Sequence, residues 1–446
     1  MIKETKKRIQ FVNRSYWPDA EATGQLLTEL CEDLAQEPQL KVSVICGQPN
    51  FNLDNVEFEQ TGVQNRNGVE IIRVNHTQHD KSTFIGRITN FITFLIAAFW
   101  TALWSKKPDL MIVQTDPPLL CLLGCIVSRI RGIKYVCYLQ DVYPDIAVEL
   151  GRLKENFLTK FLRWSFLTAY RNADKVVVVG SDMKKWLVNH RVDPKKISII
   201  ENWIDTDSLR PIKTDNQFRK KFDLEDKFVV MYSGNMGYTQ RFDLIMDAAE
   251  KLQDHRDIVF AFVGNGVKRG YLSEETISRG LPNIRFVDYQ PKSELSQSLS
   301  AADIHLVLLD SKLTPYMLPS KIYSAFASAT AVICMGASKT QIGNQNTSSH
   351  LANLIERHEA GLFIDEKNAE TLAEEILALQ QDQEARLRMS QNSRLAAETM
   401  HTRDVAVSEF QETFIEVGLL SEFTDSSQAI TLNQKSVNHR EKSLAN

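Results

Sequence analysis

The chain has 446 residues and a formal net charge of −4, from 52 Lys and Arg against 56 Asp and Glu. That length exceeds one hydrophobic core, so two domains are expected, and the small charge gives no sign of a nucleic-acid partner. The charge is uneven: residues 1–205 carry 26 basic and 23 acidic side chains, which leaves 26 and 33 for the rest. A mildly basic first half favours an anionic surface or substrate on that side.

The chain opens on charged residues and passes directly into a strand, so its first residues do not read as a signal peptide. Apolar runs predict strands at Arg8–Asn13, Lys41–Cys46, Val69–Val74, Leu110–Gln114, Lys134–Leu139, Lys175–Val179 and Ile197–Ile200. Helical spacing predicts helices between them, over 24–35, 83–105, 119–131, 156–171 and 181–190. Continuous apolar strands alternating with helices imply a parallel, doubly wound α/β domain. The most apolar stretch, Phe91–Trp104, is 14 residues long, short of the roughly 20 that span a bilayer. It reads first as a helix packed on the sheet. The alternative is a helix lying in a membrane interface, with Trp100, Trp104 and Lys106-Lys107 as anchors. Lys154–Tyr170 poses the same choice.

Asp205-Thr206-Asp207 spells a metal-binding D-x-D, but at an inter-domain junction it reads as a turn. The nine histidines show no ligand spacing, and Cys121 and Cys125 lack companions, so no metal is expected. The six cysteines, most of them in apolar segments, read as small buried hydrophobes.

After residue 205 the pattern restarts. Strands are predicted at Phe228–Tyr232, Ile258–Val263, Ile284–Val287, Ile304–Leu309 and Ala331–Cys334, and Glu370–Met400 is strongly helical. The domains are therefore set at 1–205 and 206–400, with a helix over 401–420 packing back on the first. The polar stretch 421–446 is expected to be disordered. The fold class is α/β, with two facing Rossmann-like, doubly wound domains and a cleft between them.

Ligands of such sheets sit outside the carboxyl ends of the strands. In the second domain those ends carry Ser233, Gly234, Asn235 and Gly237, then Gly264, then Tyr289. Free backbone N–H groups in a glycine loop attract a phosphate. Pro319-Ser320-Lys321 opens a further helix; Ser320 is expected to cap it, and Lys321 to hold a diphosphate. In the first domain, Tyr16–Gly24, Asp116 and Gln140–Asp145 occupy the strand ends. Asp141 is the best-placed acid, base or sugar ligand.

These motifs, in this order over residues 8–415, resemble glycosyltransferase family 4 of GT-B architecture, in its exopolysaccharide and O-antigen branch. The resemblance rests on Pro117-Pro118, Asp141-Val-Tyr-Pro144, Ser233-Gly-Asn-Met-Gly237, Phe262-Val-Gly-Asn-Gly266 and Pro319-Ser-Lys321. It implies sugar transfer from a nucleotide sugar to a carbohydrate or polyprenyl-linked acceptor, with retention and without a metal or other cofactor. The setting would be the cytoplasm, with possible peripheral contact at the inner membrane. Asp141 and Lys321 would be catalytic. Ser233, Gly234, Asn235, Gly237, Arg241, Gly264, Tyr289, Pro319, Ser320 and Ser324 would serve the donor. Gly24, Asp116 and Tyr143 would lie on the acceptor side. Tyr316 and Ser324 stand where the family often has glutamates, and Asn235 and Gln240 where it often has Arg and Lys, with Arg241 nearby. Two rival readings stay open: an inactive scaffold subunit, and a nucleotide-sugar 2-epimerase.

Overall fold

A computed structural model describes residues 6–19, 21–50, 56–80, 83–342, 345–365 and 369–421. The first domain holds eight strands: β1 (Lys7–Val12), β2 (Leu40–Cys46), β3 (Gly62–Arg66), β4 (Val69–Arg73), β5 (Leu110–Val113), β6 (Lys134–Leu139), β7 (Lys175–Val178) and β8 (Ile197–Ile199). They lie in the order β3-β4-β2-β1-β5-β6-β7-β8. The β3–β4 edge pair is antiparallel and the rest are parallel. Its helices are α1 (Ala22–Gln36), α2 (Phe84–Trp104), α3 (Leu120–Arg131), α4 (Asp145–Glu149), α5 (Phe157–Asn172) and α6 (Ser181–Asn189). All four residues of β5 are wholly buried, as a central strand covered on both faces requires.

The second domain is a six-stranded parallel sheet, β11-β10-β9-β12-β13-β16. Its strands are β9 (Phe228–Ser233), β10 (Ile258–Val263), β11 (Ile284–Val287), β12 (Ile304–Leu308), β13 (Ala331–Gly336) and β16 (Gly361–Asp365). A separate hairpin, β14 (Lys339–Ile342) with β15 (Gln345–Ser348), stands between the last two. The helices are α7 (Gln217–Lys221), α8 (Phe242–Lys251), α9 (Arg269–Ser278), α10 (Leu295–Ser300), α11 (Lys321–Ala327), α12 (His350–His358), α13 (Ala369–Gln381) and α14 (Gln383–Thr399). In both sheets the strand order reverses beside the first strand, between β1 and β5 and between β9 and β12. Those crevices are where an open α/β sheet binds ligands.

The strands β3, β14, β15 and β16 lie outside the predicted set. The single helix expected over 370–400 is two, because the Asp382 carboxylate accepts from Ala385 N at 2.8 Å and caps α14. After α14 the chain returns: α15 (Arg403–Glu416) buries Phe410 and Phe414 in the core of the first domain. Phe410 meets Tyr138 of β6 edge to face at 5.2 Å. Where the two inter-domain crossings run side by side, Ile204 N–H donates to His401 O at 2.9 Å. The tail expected to be disordered lies, from residue 422, outside the described residues.

The apolar helix α2 departs most from expectation. It has 21 residues, long and apolar enough by length and composition to cross a bilayer. Phe94, Ala98 and Ala102 form a fully buried stripe against the sheet, while Ile92, Ile96, Trp100 and Trp104 point outward at 48–81% exposure. Packing on the sheet therefore accounts for one face and leaves the other bare.

Candidate functional site

The glycine loop after β9 lies against Lys321. Gly234 has φ +131°, and a Cβ there would stand 2.3 Å from Lys321 Cε. Glycine is needed because the lysine side chain runs where a side chain would be. Gly264, with φ +129°, lets the loop after β10 touch Gly234, since a Cβ there would meet Gly234 O at 2.3 Å. The expected phosphate amides are engaged elsewhere. Gly234 N–H donates to Val263 O at 2.8 Å, and Gly237 N–H donates to Gln240 Oε1 at 3.1 Å. The loop thus serves to admit a cation, with less of its backbone free than the sequence suggests.

That cation has no partner of opposite charge among the described residues. Lys321 Nζ lies 5.2 Å from the centre of the Tyr232 ring, and Tyr232 is held by donating its OH to Asn235 O at 2.7 Å. Burial pushes the Lys321 ammonium down to about 8. Ser320 occupies the N-cap position of α11, yet its side chain makes no cap hydrogen bond there. Ser324 Oγ donates to Lys321 O at 2.9 Å. Arg241 is drawn to Asp243, with Nη2 at 2.6 Å from Oδ2. Tyr289 follows β11 and is 44% exposed.

On the facing domain, Arg14 follows β1 and gathers the carboxylates. Its Nη2 lies 2.8 Å from Asp116 Oδ2 and 2.9 Å from Glu21 Oε2. Asp116 is therefore ion-paired. Burial still raises its carboxyl to about 6, against the pull of Arg14. Asp141 is also raised to about 6, first by burial and then by the Asp116 charge, and no described cation pairs with it. Gly24 lets α1 approach the first loop closely, since a Cβ there would lie 2.3 Å from Ser15 Oγ.

The two sides meet. Asp141 forms an isolated antiparallel bridge with Met317, and Val142 N–H donates to Tyr316 O at 2.9 Å. A cavity of about 160 Å³ between the domains is lined by Asp141, Gln140 and Thr23 from one side and by Pro319, Ser320 and Lys321 from the other. A second cavity, of about 260 Å³, lies within the first domain against Asp116, Tyr143 and Phe91, and shares Asp141, Gln140 and Thr23 with the first. Asp141 stands in the wall common to both. Among the described residues no group of three or more His, Cys, Asp or Glu is placed to hold a metal. Asp205 accepts from Asp207 N and Ser208 N, each at 3.0 Å, which closes a turn.

Residues 23–208 match the family model Glycosyltransferase Family 4, and residues 213–396 match Glycosyl transferases group 1. Each half of the chain thus matches a glycosyltransferase family model. WbjE of Pseudomonas aeruginosa, named as a glycosyltransferase, is 26% identical over 233 residues, 52% of this chain and 58% of its own. WcaI of Escherichia coli (strain K12), named as a glycosyl transferase of colanic acid biosynthesis, is 25% identical over 270 residues, 58% of this chain and 65% of its own. The chain thus spans less than two thirds of either relative. Anabaena HepE, solved with UDP and glucose, superposes with a TM-score of 0.68 at 14% identity, over 92% of this chain and 99% of its own. That likeness establishes the GT-B fold.

Four charged residues near the cleft were not singled out in the sequence. Arg14 and Glu21 follow β1, and the strand-end rule that selected Asp116 applies equally to them. Lys268, just past Gly266, donates from Nζ to Gln240 O at 3.3 Å beside the glycine loop. Arg152 of the first domain stacks over Tyr238 of that loop at 3.9 Å, joining the domains at the cleft.

Proposed function

We propose that this glycosyltransferase moves a sugar from a nucleoside-diphosphate donor to a carbohydrate or polyprenyl-linked acceptor, with retention, in surface-polysaccharide assembly at the cytoplasmic face of the membrane. One observation carries this reading: two adjoining cavities share Asp141, and one of them also holds the unpaired Lys321. The cleft between the domains takes the donor and the inner cavity the acceptor, so the sugar passes at Asp141. Lys321 neutralises the diphosphate as it leaves, where a low dielectric makes one cation count for most. Tyr289 flanks the base. Asp116, fixed by Arg14, orients acceptor hydroxyls with Tyr143. HepE's complex with UDP and glucose makes UDP-glucose the first donor to try.

The test separates binding from transfer. Lys321→Ala loses the thermal stabilisation that a nucleotide sugar gives the wild type. Asp141→Asn keeps that stabilisation and loses transfer by about a hundredfold or more. With Asp141 working as a carboxylate, wild-type transfer falls as pH drops through about 6, and the Asn variant lacks that limb. Product NMR reads the anomeric configuration. Full transfer in both variants would overturn the site.

A further inference from the structure

We infer that the outer face of α2, α3 and α5 docks on an anionic lipid bilayer. The three helices lie side by side on one face of the first sheet. On α2, Ile85, Ile88, Ile92, Ile96, Trp100 and Trp104 recur every three or four residues, all exposed. On α3, Ile126 and Ile130 continue the patch at 50% and 62% exposure. On α5, Phe157, Leu158, Phe161 and Trp164 complete it at 51–84%. These twelve side chains are more than half of the 22 large apolar ones exposed on the described protein, so the patch is a concentration and not ordinary scatter.

Charge selects the occupant. α2, α3 and α5 contain no Asp or Glu. Exposed Arg87, Lys106, Lys107, Arg129, Lys154 and Lys160 border the apolar surface. Glu155, which flanks α5, is held by Arg163 at 2.9 Å, and exposed Asp80 and Asp109 lie beyond the two ends of α2. Apolar side chains with three tryptophans inside a basic rim are the chemistry of a helix face lying in a headgroup layer. A bare apolar face could also bury itself on a second copy of the chain, but cations at the rim of a self-complementary contact would face one another. The bilayer is not crossed: the buried stripe of α2 ties it to the sheet, so the helix lies along the surface.

The docking has a consequence for the reaction, which rests on the transfer proposed above. Phe91, in the same helix, lines the acceptor cavity. The cavity therefore opens beside the lipid, within reach of an acceptor anchored there.

The experiment is co-sedimentation of the full chain with vesicles of phosphatidylcholine alone or with about a third phosphatidylglycerol. The protein pellets with the anionic vesicles, less so at high salt, and its tryptophan emission shifts to the blue. Ile96→Glu with Trp100→Glu, and separately Phe161→Glu with Trp164→Glu, weaken this at least about tenfold. Ile277→Glu, at an exposed apolar side chain of the second domain, leaves it unchanged. Thermal stabilisation by UDP-glucose in the same variants checks that they fold, and separates docking from the proposed reaction. Absence of vesicle binding overturns the inference. So does a dimer, seen by sedimentation velocity, that the same substitutions dissociate.

Discussion

Lys321 shows what the site demands of a single residue. An ammonium lowered by burial from 10.5 to about 8 is penalised in the folded chain and not in the unfolded one. Its folded pKa lies below the unfolded value. The cost is therefore fully present below about pH 8 and fades as pH rises from there toward 10.5. Lys321→Met removes it, so the ligand-free protein should gain roughly 1–3 kcal/mol at neutral pH while losing nucleotide binding. Wild-type affinity for UDP should fall above pH 8, where the free lysine loses its proton. Urea titrations with and without UDP measure both effects. A Met variant that is less stable than wild type and still binds UDP would show that the lysine serves the fold.

At the scale of elements, the glycine loop and α11 act as one device. Gly234→Ala places a methyl against Lys321 Cε and demands a left-handed backbone from alanine. It should cost about 1–3 kcal/mol and weaken UDP binding, because the lysine must move. Gly270→Ala in α9, where a Cβ meets nothing within 4 Å, should be neutral or slightly stabilising. Equal losses in both, by thermal melts with UDP, would remove the special role of Gly234. The position of this loop was legible in the sequence, since a buried apolar strand followed by glycines and an amphipathic helix is a local pattern. What the glycines do was not, because the lysine they admit lies 87 positions away. The same limit hid the role of Arg14: its strand end was legible, but its pairing with Asp116 depends on β1 and β5 being neighbours. The apolar face of α2 was half legible. Composition could not say which stripe the sheet would cover. The missed strand β16 lies at a sheet edge, and its sequence Gly-Leu-Phe-Ile-Asp offers only three apolar residues in a row.

At the scale of the whole molecule, the chain folds each domain around its own sheet and then sends α15 back to the first. Arg403 fastens the start of this helix to Asp33 of α1 at 2.6 Å and to Asp205 of the linker at 3.4 Å. These contacts are part-exposed, so together they contribute little more than about 1 kcal/mol. The hold comes from burial, with Phe410 and Phe414 wholly enclosed. Both crossings then leave from one place, paired at Ile204 and His401, two residues from Asn202 in the wall of the cleft. A turn of the domains about such a joint would open and close the cavity shared by Lys321 and Asp141. It follows that a wound to α15 should damage the first domain and spare the donor half. Phe410→Ala removes a buried ring and should cost about 3–5 kcal/mol. In calorimetry the loss should fall on the transition that UDP does not raise, while the UDP-stabilised transition keeps its midpoint. A variant that melts like wild type would take α15 out of the first core, and a single transition shifted whole would make the two domains one cooperative unit.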